Sequence, residues 1–335
     1  MADFKANCYP LLFKRILVEK VWGGNRISKQ LGEELPFDGP LGETWELSDY
    51  PGKETEIRNG HFAGQSLRAL MEQYGSFILG DSRASDGGRF PLLVKLLDAG
   101  DNLSVQVHPP DGEKSPTGIG KTEAWYVLDS AENASLICGL KRGTSYEQFA
   151  EDAPTSKIRD YLVEFPVQEG DCVYVPSGQT HAICAGTVLC EIQQTSDVTF
   201  RLYDWDRLGL DGKPRKTHLK ESLEAINFDL SPSAPQRHEL SSPVYQGESV
   251  SLCGGDYFAM YLHRHGSEGE IVAQKNVATL LVVIAGRGVI QPLDDSFKPL
   301  EVSFGDTVLI PACLEGVKVC GVDGGQIDFI RAVAR

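Results

Sequence analysis

The chain has 335 residues and a formal net charge of −15, with 47 Asp and Glu against 32 Lys and Arg. That length passes the point at which one hydrophobic core usually stops growing, so two compact units are expected and core material is not limiting. The charge excludes a surface that wraps nucleic acid or an anionic membrane, whose fields it would repel; a small anionic substrate requires a local basic cluster.

In chain order, the N-terminal MADFKANCYPLLF lacks a basic segment followed by an apolar run, and nowhere do about 18 apolar residues follow one another. Export and membrane spanning are therefore not expected. Helical periodicity appears in QSLRALMEQYG from Gln65, in the stretch Thr144 to Phe165, and in THLKESLEAINF from Thr217. Most of the remainder reads as short strands. FPLLVKLLDA, LSVQVHP, EAWYVLD, ASLICGL, DCVYVPS and TVLCEIQQTS are rich in β-branched and aromatic residues and are separated by Gly, Asp, Asn and Pro turns. Strands at this spacing point to a mainly β fold of the sandwich or jelly-roll kind. AGRGVI at residues 285–290 lacks the third glycine of a dinucleotide fingerprint and reads as a strand turn.

The Pro- and Ser-rich stretch SPSAPQRHELSSP at residues 231–243 reads as a linker. Two blocks result: a catalytic domain at 1–230 enlarged by helices, a linker at 231–245, and a smaller strand-rich domain at 246–335. The blocks echo one another. GDCVYVPSGQTHAI from Gly170 is answered by GDTVLIPACLEGV from Gly305, with Pro176 and Pro311 at equal offsets, and the place of His181 falls to Gly316. Duplicated barrels follow, the second without a ligand-bearing turn. His263 and His265 form an HxH there, but the other half of a ligand set is missing, so no second metal is expected. The eight cysteines show no CxxC pair, and a chain this large needs no disulfide staple; a reducing cytoplasm suits them.

Chemistry concentrates in the first block. In LSVQVHPPD, Gln106 and His108 are two apart on an alternating strand and so project from one face. Glu123 follows His108 by fifteen residues and could stand opposite on a hairpin partner. His181 ends GDCVYVPSGQTH, where the Gly-Asp and Pro-Ser-Gly turns bracket a short apolar strand and aim the imidazole inward. A lone strand histidine is more often a hydrogen-bonded core residue than a ligand. Four nitrogen and oxygen donors in this pattern instead suit one zinc ion per chain, or another borderline divalent metal.

GDCVYVPSGQTH resembles the second cupin motif, and QVH with Glu123 a variant first motif. Together with VWGG (Val21 to Gly24), GETWE (Gly42 to Glu46), FPLLVKLLDAGDNLSVQVHPPD, GKTEAWYVLD and the segment His181 to Arg201, they resemble the type I mannose-6-phosphate isomerases, particularly the short bacterial forms. The resemblance runs from about Val21 to Phe228. It implies tandem cupin jelly-roll barrels and interconversion of mannose 6-phosphate and fructose 6-phosphate through an enediol. It also implies a zinc held by Gln106, His108, Glu123 and His181, and a sugar phosphate as the partner. Two rival readings are an iron-dependent oxygenase on the same fold and a non-catalytic sugar-phosphate sensor.

Aldose–ketose interconversion moves a proton between C2 and C1 and needs a base within hydrogen-bond reach. Lys121, two residues before Glu123, is one candidate, with a pKa expected to be lowered by burial beside a divalent cation; Glu191 is the other, if the family register holds. Arg201 matches the family's active-site arginine, able to stabilise the enediolate. Lys95 and Ser104 match phosphate-contacting positions. Trp22 and Glu43 match the early motifs, the first as a cavity wall and the second as a polar contact.

Overall fold

The computed structural model describes residues 4, 7–238, 248–272, 276–314 and 316–335. They gather into two compact units, neither continuous in sequence: Met1–Ile16, Trp45–Val94 and His238–Arg335 form one, Leu17–Thr44 and Lys95–Arg237 the other. The division read from the sequence was linear, whereas here N-terminal segments cluster with the C-terminal strands. Leu11–Lys14 supplies the reason, since it pairs antiparallel with Thr307–Ile310 through Leu11 opposite Leu309. Of the expected linker 231–245, residues 239–245 lie outside the described residues; within the rest, Gln236–Arg237 pairs with Asp171 and Cys172 and so joins a sheet.

In the first unit, a ten-stranded antiparallel sheet runs through Glu248–Gly254, Phe258–His265, Ile327–Ala334, Thr279–Pro292, Thr307–Ile310, Leu11–Lys14 and Glu56–Ile57, with three further strands branching from it. Thr279–Pro292 is the hub. Its first half pairs with Thr307–Ile310 and Ile327–Ala334, its second half with Leu300–Ser303 and Val317–Gly321. AGRGVI therefore lies inside a strand and not in a turn. Gly286, at φ +77°, is the point at which that strand bends from one set of partners to the other, just past a register shift at Val283/Ala285. The periodic segment from Gln65 forms helix Leu67–Leu79, N-capped by Ser66, whose side chain accepts from the Ala69 N–H. Cys8 and Cys313 are joined by a disulfide in this unit, where the sequence reading expected none. They stand 305 residues apart, so no spacing pattern marks them.

The second unit holds a five-stranded sheet, Leu162–Pro166, Ser135–Leu140, His181–Ile183, Val105–Val107 and Phe200–Tyr203 in order. A seven-stranded sheet runs through Gln236–Arg237, Asp171–Val175, Glu123–Ser130, Thr187–Gln194, Leu92–Ala99, Ile16–Gly24 and Leu41–Leu47, the last three of which belong to this unit only over residues 95–99, 17–24 and 41–44. All six strands predicted for this region form. The stretch 144–165 divides into helix Tyr146–Asp152, the 3₁₀ turns Ser156–Tyr161 and the strand Leu162–Pro166. Leu219–Ala225 is the helix predicted from Thr217.

Strand alternation divides the side chains of this unit into two cores. Val105, Val107, Ile137, Ala182, Cys184, Phe200 and Leu202 pack on the helical side with Phe149 and Ala225. Leu136, Cys138 and Ile183 point the other way, to Trp125, Val127, Val173, Val175 and Leu189 of the other sheet. The parity then places Ser104, Gln106, His108, His181 and Arg201 on the inner face, between the sheets. Leu140 rejoins the helical side because the register slips between Ile137 and Leu140, at Gly139 with φ +115°.

Candidate metal centre and its cleft

His181 stands directly opposite Gln106 in the five-stranded sheet, and Arg201 flanks Gln106 on the other side. Glu123 is not on a hairpin partner of the Gln106 strand, as the sequence reading supposed. It opens a strand of the seven-stranded sheet, opposite Val175 and Gln193, and meets the histidines across the barrel interior. The Nε2 atoms of His108 and His181 lie 3.6 and 3.4 Å from its two carboxylate oxygens. His108, Glu123 and His181 are all buried, with ligand atoms within 4.8 Å of one another, and are the one group of three or more such donors among the described residues.

The side-chain bonds suit a cation. His108 donates from Nδ1 to the Val198 carbonyl and His181 from Nδ1 to the Gln179 carbonyl, both at 2.8 Å, so each turns an Nε2 lone pair inward. Burial lowers both imidazole pKa values, that of His181 to about 4, which keeps both in the neutral, ligating form. Glu123 is fully buried; its Oε2 meets the Lys121 ammonium, and its Oε1, turned toward His181, has no hydrogen-bond partner. A buried carboxylate left in this state is the donor a divalent ion would satisfy. Gln106 Nε2 lies 3.3 Å from His181 Nε2 while its oxygen accepts from Ser104; a half-turn of the amide exchanges the two atoms, so Gln106 can offer oxygen as a fourth donor. These residues fit a metal.

Beside the ligands opens a cleft of about 270 Å³ lined by Trp22, Glu43, Lys95, Ser104, Gln106, Lys121, Glu191 and Arg201, among others. Each residue proposed from the sequence as a metal ligand, acid or base, or substrate contact lies at this centre or lines its cleft. Lys121 Nζ sits 2.6 Å from Glu123, 3.2 Å from His108 Nε2 and 3.5 Å from Glu191. Burial lowers its pKa, but Glu123 and Glu191 raise it by more, so the net shift is upward. Two carboxylates facing the ammonium set that direction; the depression expected beside a divalent cation concerns the metal-loaded site. Glu191 is itself shifted up, by burial first and then by Glu123, and accepts from the Trp125 indole N–H at 3.1 Å.

Lys95 is 3% exposed and is pushed up by Glu43 and Asp197 against its own burial, with Nζ 3.6 and 3.2 Å from them. Glu43 also pairs with Lys20 at 3.0 Å. Arg201 differs from these lysines: its guanidinium bonds to neutral oxygens, from Nε to Ser104 Oγ (3.2 Å) and from Nη1 to the Lys216 carbonyl (2.8 Å). Sequence reasoning did not single out Lys20, Asp197, Arg215 or His218, which also line the cleft. Asp197 was within reach, four residues before Arg201 in SDVTFR; Arg215 and His218 arrive from a loop that no local pattern ties to the strand.

A metal-binding set of two histidines and a carboxylate inside an antiparallel barrel, with lysine, glutamate and arginine around a polar cleft, defines a metal-dependent enzyme of the cupin kind. Residues 11–136 match the family described as phosphomannose isomerase type I, catalytic domain. The chain is 33% identical over 316 residues to the putative mannose-6-phosphate isomerase YvyI of Bacillus subtilis, covering 93% of this chain and 96% of that protein. It is 38% identical over 288 residues to the mannose-6-phosphate isomerase ManA of the same organism, covering 83% and 86%. The crystal structure of the mannose 6-phosphate isomerase from Bacillus subtilis superimposes with a TM-score of 0.84 at 30% identity, over 96% of this chain and 99% of that one. The chain belongs to the type I phosphomannose isomerase family.

Proposed function

We propose that this protein interconverts mannose 6-phosphate and fructose 6-phosphate. The observation that carries the reading is the convergence of His108, Glu123 and His181 with Lys121, Glu191 and Arg201 at one cleft. Family membership and the relatives named mannose-6-phosphate isomerase support it. The bound ion is zinc, held by the two imidazoles, Glu123 and the Gln106 oxygen, since neutral imidazole and carboxylate donors with an open position suit it. When bound, it supplies a Lewis acid that draws electron density from a substrate oxygen.

The residues of the chain do the rest. Glu191, buried and hydrogen-bonded by Trp125, takes the proton from C2 and returns it to C1. The Lys121 ammonium faces both Glu191 and Glu123, so it can hand a proton to the Glu191 carboxylate and take it back as the proton moves between C2 and C1. Arg201 places its guanidinium against the substrate oxygen that becomes negative as the enediol forms. Ser104 and Lys95 hold the phosphate end, with Glu43 and Asp197 setting the position of Lys95. Trp22, 3% exposed, walls the cleft.

A coupled assay of fructose 6-phosphate formation from mannose 6-phosphate, run before chelation, after it and after zinc return, tests this reading. Activity lost to the chelator and restored by zinc is expected. A folded, zinc-loaded protein without turnover would refute it.

A further inference from the structure

Residues 204–218 leave the strand Phe200–Tyr203 and return to it. Asp204 fastens the excursion by accepting from Arg207 Nη2 at 2.9 Å and Arg215 Nε at 2.6 Å, and a turn closes within it through the Gly209 N–H bond to the Lys213 carbonyl at 2.7 Å. The returning end then grips one residue at three points. Arg201 Nη1 donates to the Lys216 carbonyl (2.8 Å), the His218 N–H donates to the Arg201 carbonyl (2.7 Å), and the Arg201 N–H donates to His218 Nδ1 (3.2 Å).

The third bond is the unusual one. A main-chain N–H on a sheet edge ordinarily meets a carbonyl or water, and here it meets an imidazole nitrogen, which must carry a lone pair to accept it. The proton of neutral His218 is then on Nε2, the reverse of the arrangement in His108 and His181, whose Nδ1 atoms face carbonyls. Burial, followed by the charges of Arg201 and Lys216, holds His218 below the ordinary histidine pKa, so the acceptor persists at neutral pH.

Arg201 sits directly opposite Gln106 in the sheet, and its Nε donates to Ser104 Oγ, which in turn donates to the Gln106 oxygen at 3.1 Å. A shift of the Arg201 backbone is thus felt at both the guanidinium and a metal-donor amide. We propose that His218 is a positioning residue of this enzyme: by accepting the Arg201 main-chain N–H at Nδ1, it fixes where the Arg201 guanidinium meets the substrate. This rests on the role given to Arg201 under Proposed function.

Asn places an oxygen where Nδ1 of histidine lies, whereas Gln reaches the position of Nε2, so the two variants separate acceptance by Nδ1 from donation by Nε2. Since misplacement of an oriented group by about 1 Å costs as much as 10²-fold, His218→Ala and His218→Gln should each lower kcat by roughly 10- to 100-fold with KM little changed. His218→Asn should recover to within about threefold of the parent, with metal content and melting temperature alike in all four proteins. An alanine variant with full kcat, a glutamine variant matching the parent, or an asparagine variant as impaired as alanine would each overturn the proposal. Imidazole ¹⁵N spectra of the parent protein at neutral pH decide the premise without turnover. The resonance absent from His218→Asn should report an Nε2–H tautomer; an Nδ1–H tautomer overturns the proposal even if the enzyme is active. Failure of the parent to act on mannose 6-phosphate, with the Nε2–H tautomer present, would instead sink the isomerase reading and with it the catalytic consequence.

Discussion

At the scale of single residues, the centre separates holding a metal from using it. His181→Ala removes one of three buried ligands and should bring bound zinc from about one per chain to near none, read by elemental analysis. The Arg201 guanidinium bonds to Ser104 Oγ and the Lys216 carbonyl and to none of the metal-binding side chains, so Arg201→Ala should keep the zinc and lower kcat by roughly 10²- to 10³-fold, the usual loss for one group that stabilises developing negative charge. Equal zinc loss in both variants would remove Arg201 from its proposed role. Glu191→Gln keeps an oxygen for the Trp125 N–H and so should fold and bind metal, while kcat falls by roughly 10²- to 10⁴-fold through loss of the proton carrier. An active Glu191→Gln enzyme would leave Lys121 as the carrier.

At the scale of elements, the strand Ser135–Leu140 shows how one register slip serves two cores. Leu136 and Cys138 face the barrel interior and Ile137 the helices; the shift at Gly139 then turns Leu140 toward the helices as well. Gly139 combines φ +115° with a position where an added Cβ would lie 2.6 Å from both Gln179 Nε2 and Pro232 Cα. Gly139→Ala should destabilise by about 1–3 kcal/mol, as strained non-glycine backbone does. Phe149 is fully buried under helix Tyr146–Asp152, edge-on to Tyr161 and Phe228, and Phe149→Ala should cost about 3–5 kcal/mol. Urea unfolding measures both. A shift of a few tenths of a kcal/mol for Phe149→Ala would mean that the helical layer contributes little to stability.

At the scale of the whole molecule, a net charge of −15 coexists with a cleft lined by Lys20, Lys95, Lys121, Arg201 and Arg215. The long-range field repels polyanions, while the cleft gathers cations at the one place where a small anion is to be bound. Stability should also depend on pH through His263, which stacks on Phe329 and accepts from Arg331 Nε at 3.2 Å. Burial, then Arg331 and His265, lower its pKa to about 3. The unfolded chain, with an ordinary histidine pKa near 6.5, binds a proton first as pH falls. The stability His263 contributes is therefore complete above about pH 6.5 and is lost as pH falls from there toward 3. His263→Gln retains an acceptor for Arg331 and should flatten the decline of unfolding free energy over that window. An unchanged slope would show that the acid sensitivity arises elsewhere.

The local signals legible in the sequence were those that depend on neighbours along the chain. Alternation put Gln106 and His108 on one face, and the Gly-Asp and Pro-Ser-Gly turns delivered His181, because strand parity and turn chemistry act over a few residues. The resemblance to a family supplied Arg201, Glu191, Lys95 and Ser104, which spacing alone did not mark. Tertiary structure decided the partners. Glu123 comes from the facing sheet rather than from a hairpin, since closing a barrel brings together strands that never pair. Leu11–Lys14 pairs with Thr307–Ile310 and Cys8 joins Cys313 across nearly the whole chain, where no short-range pattern operates. Lys121 is held charged by Glu123 and Glu191, which reach it from two different strands. His218 meets Arg201 because Asp204 anchors the returning loop, a contact that exists only once the chain has closed upon itself.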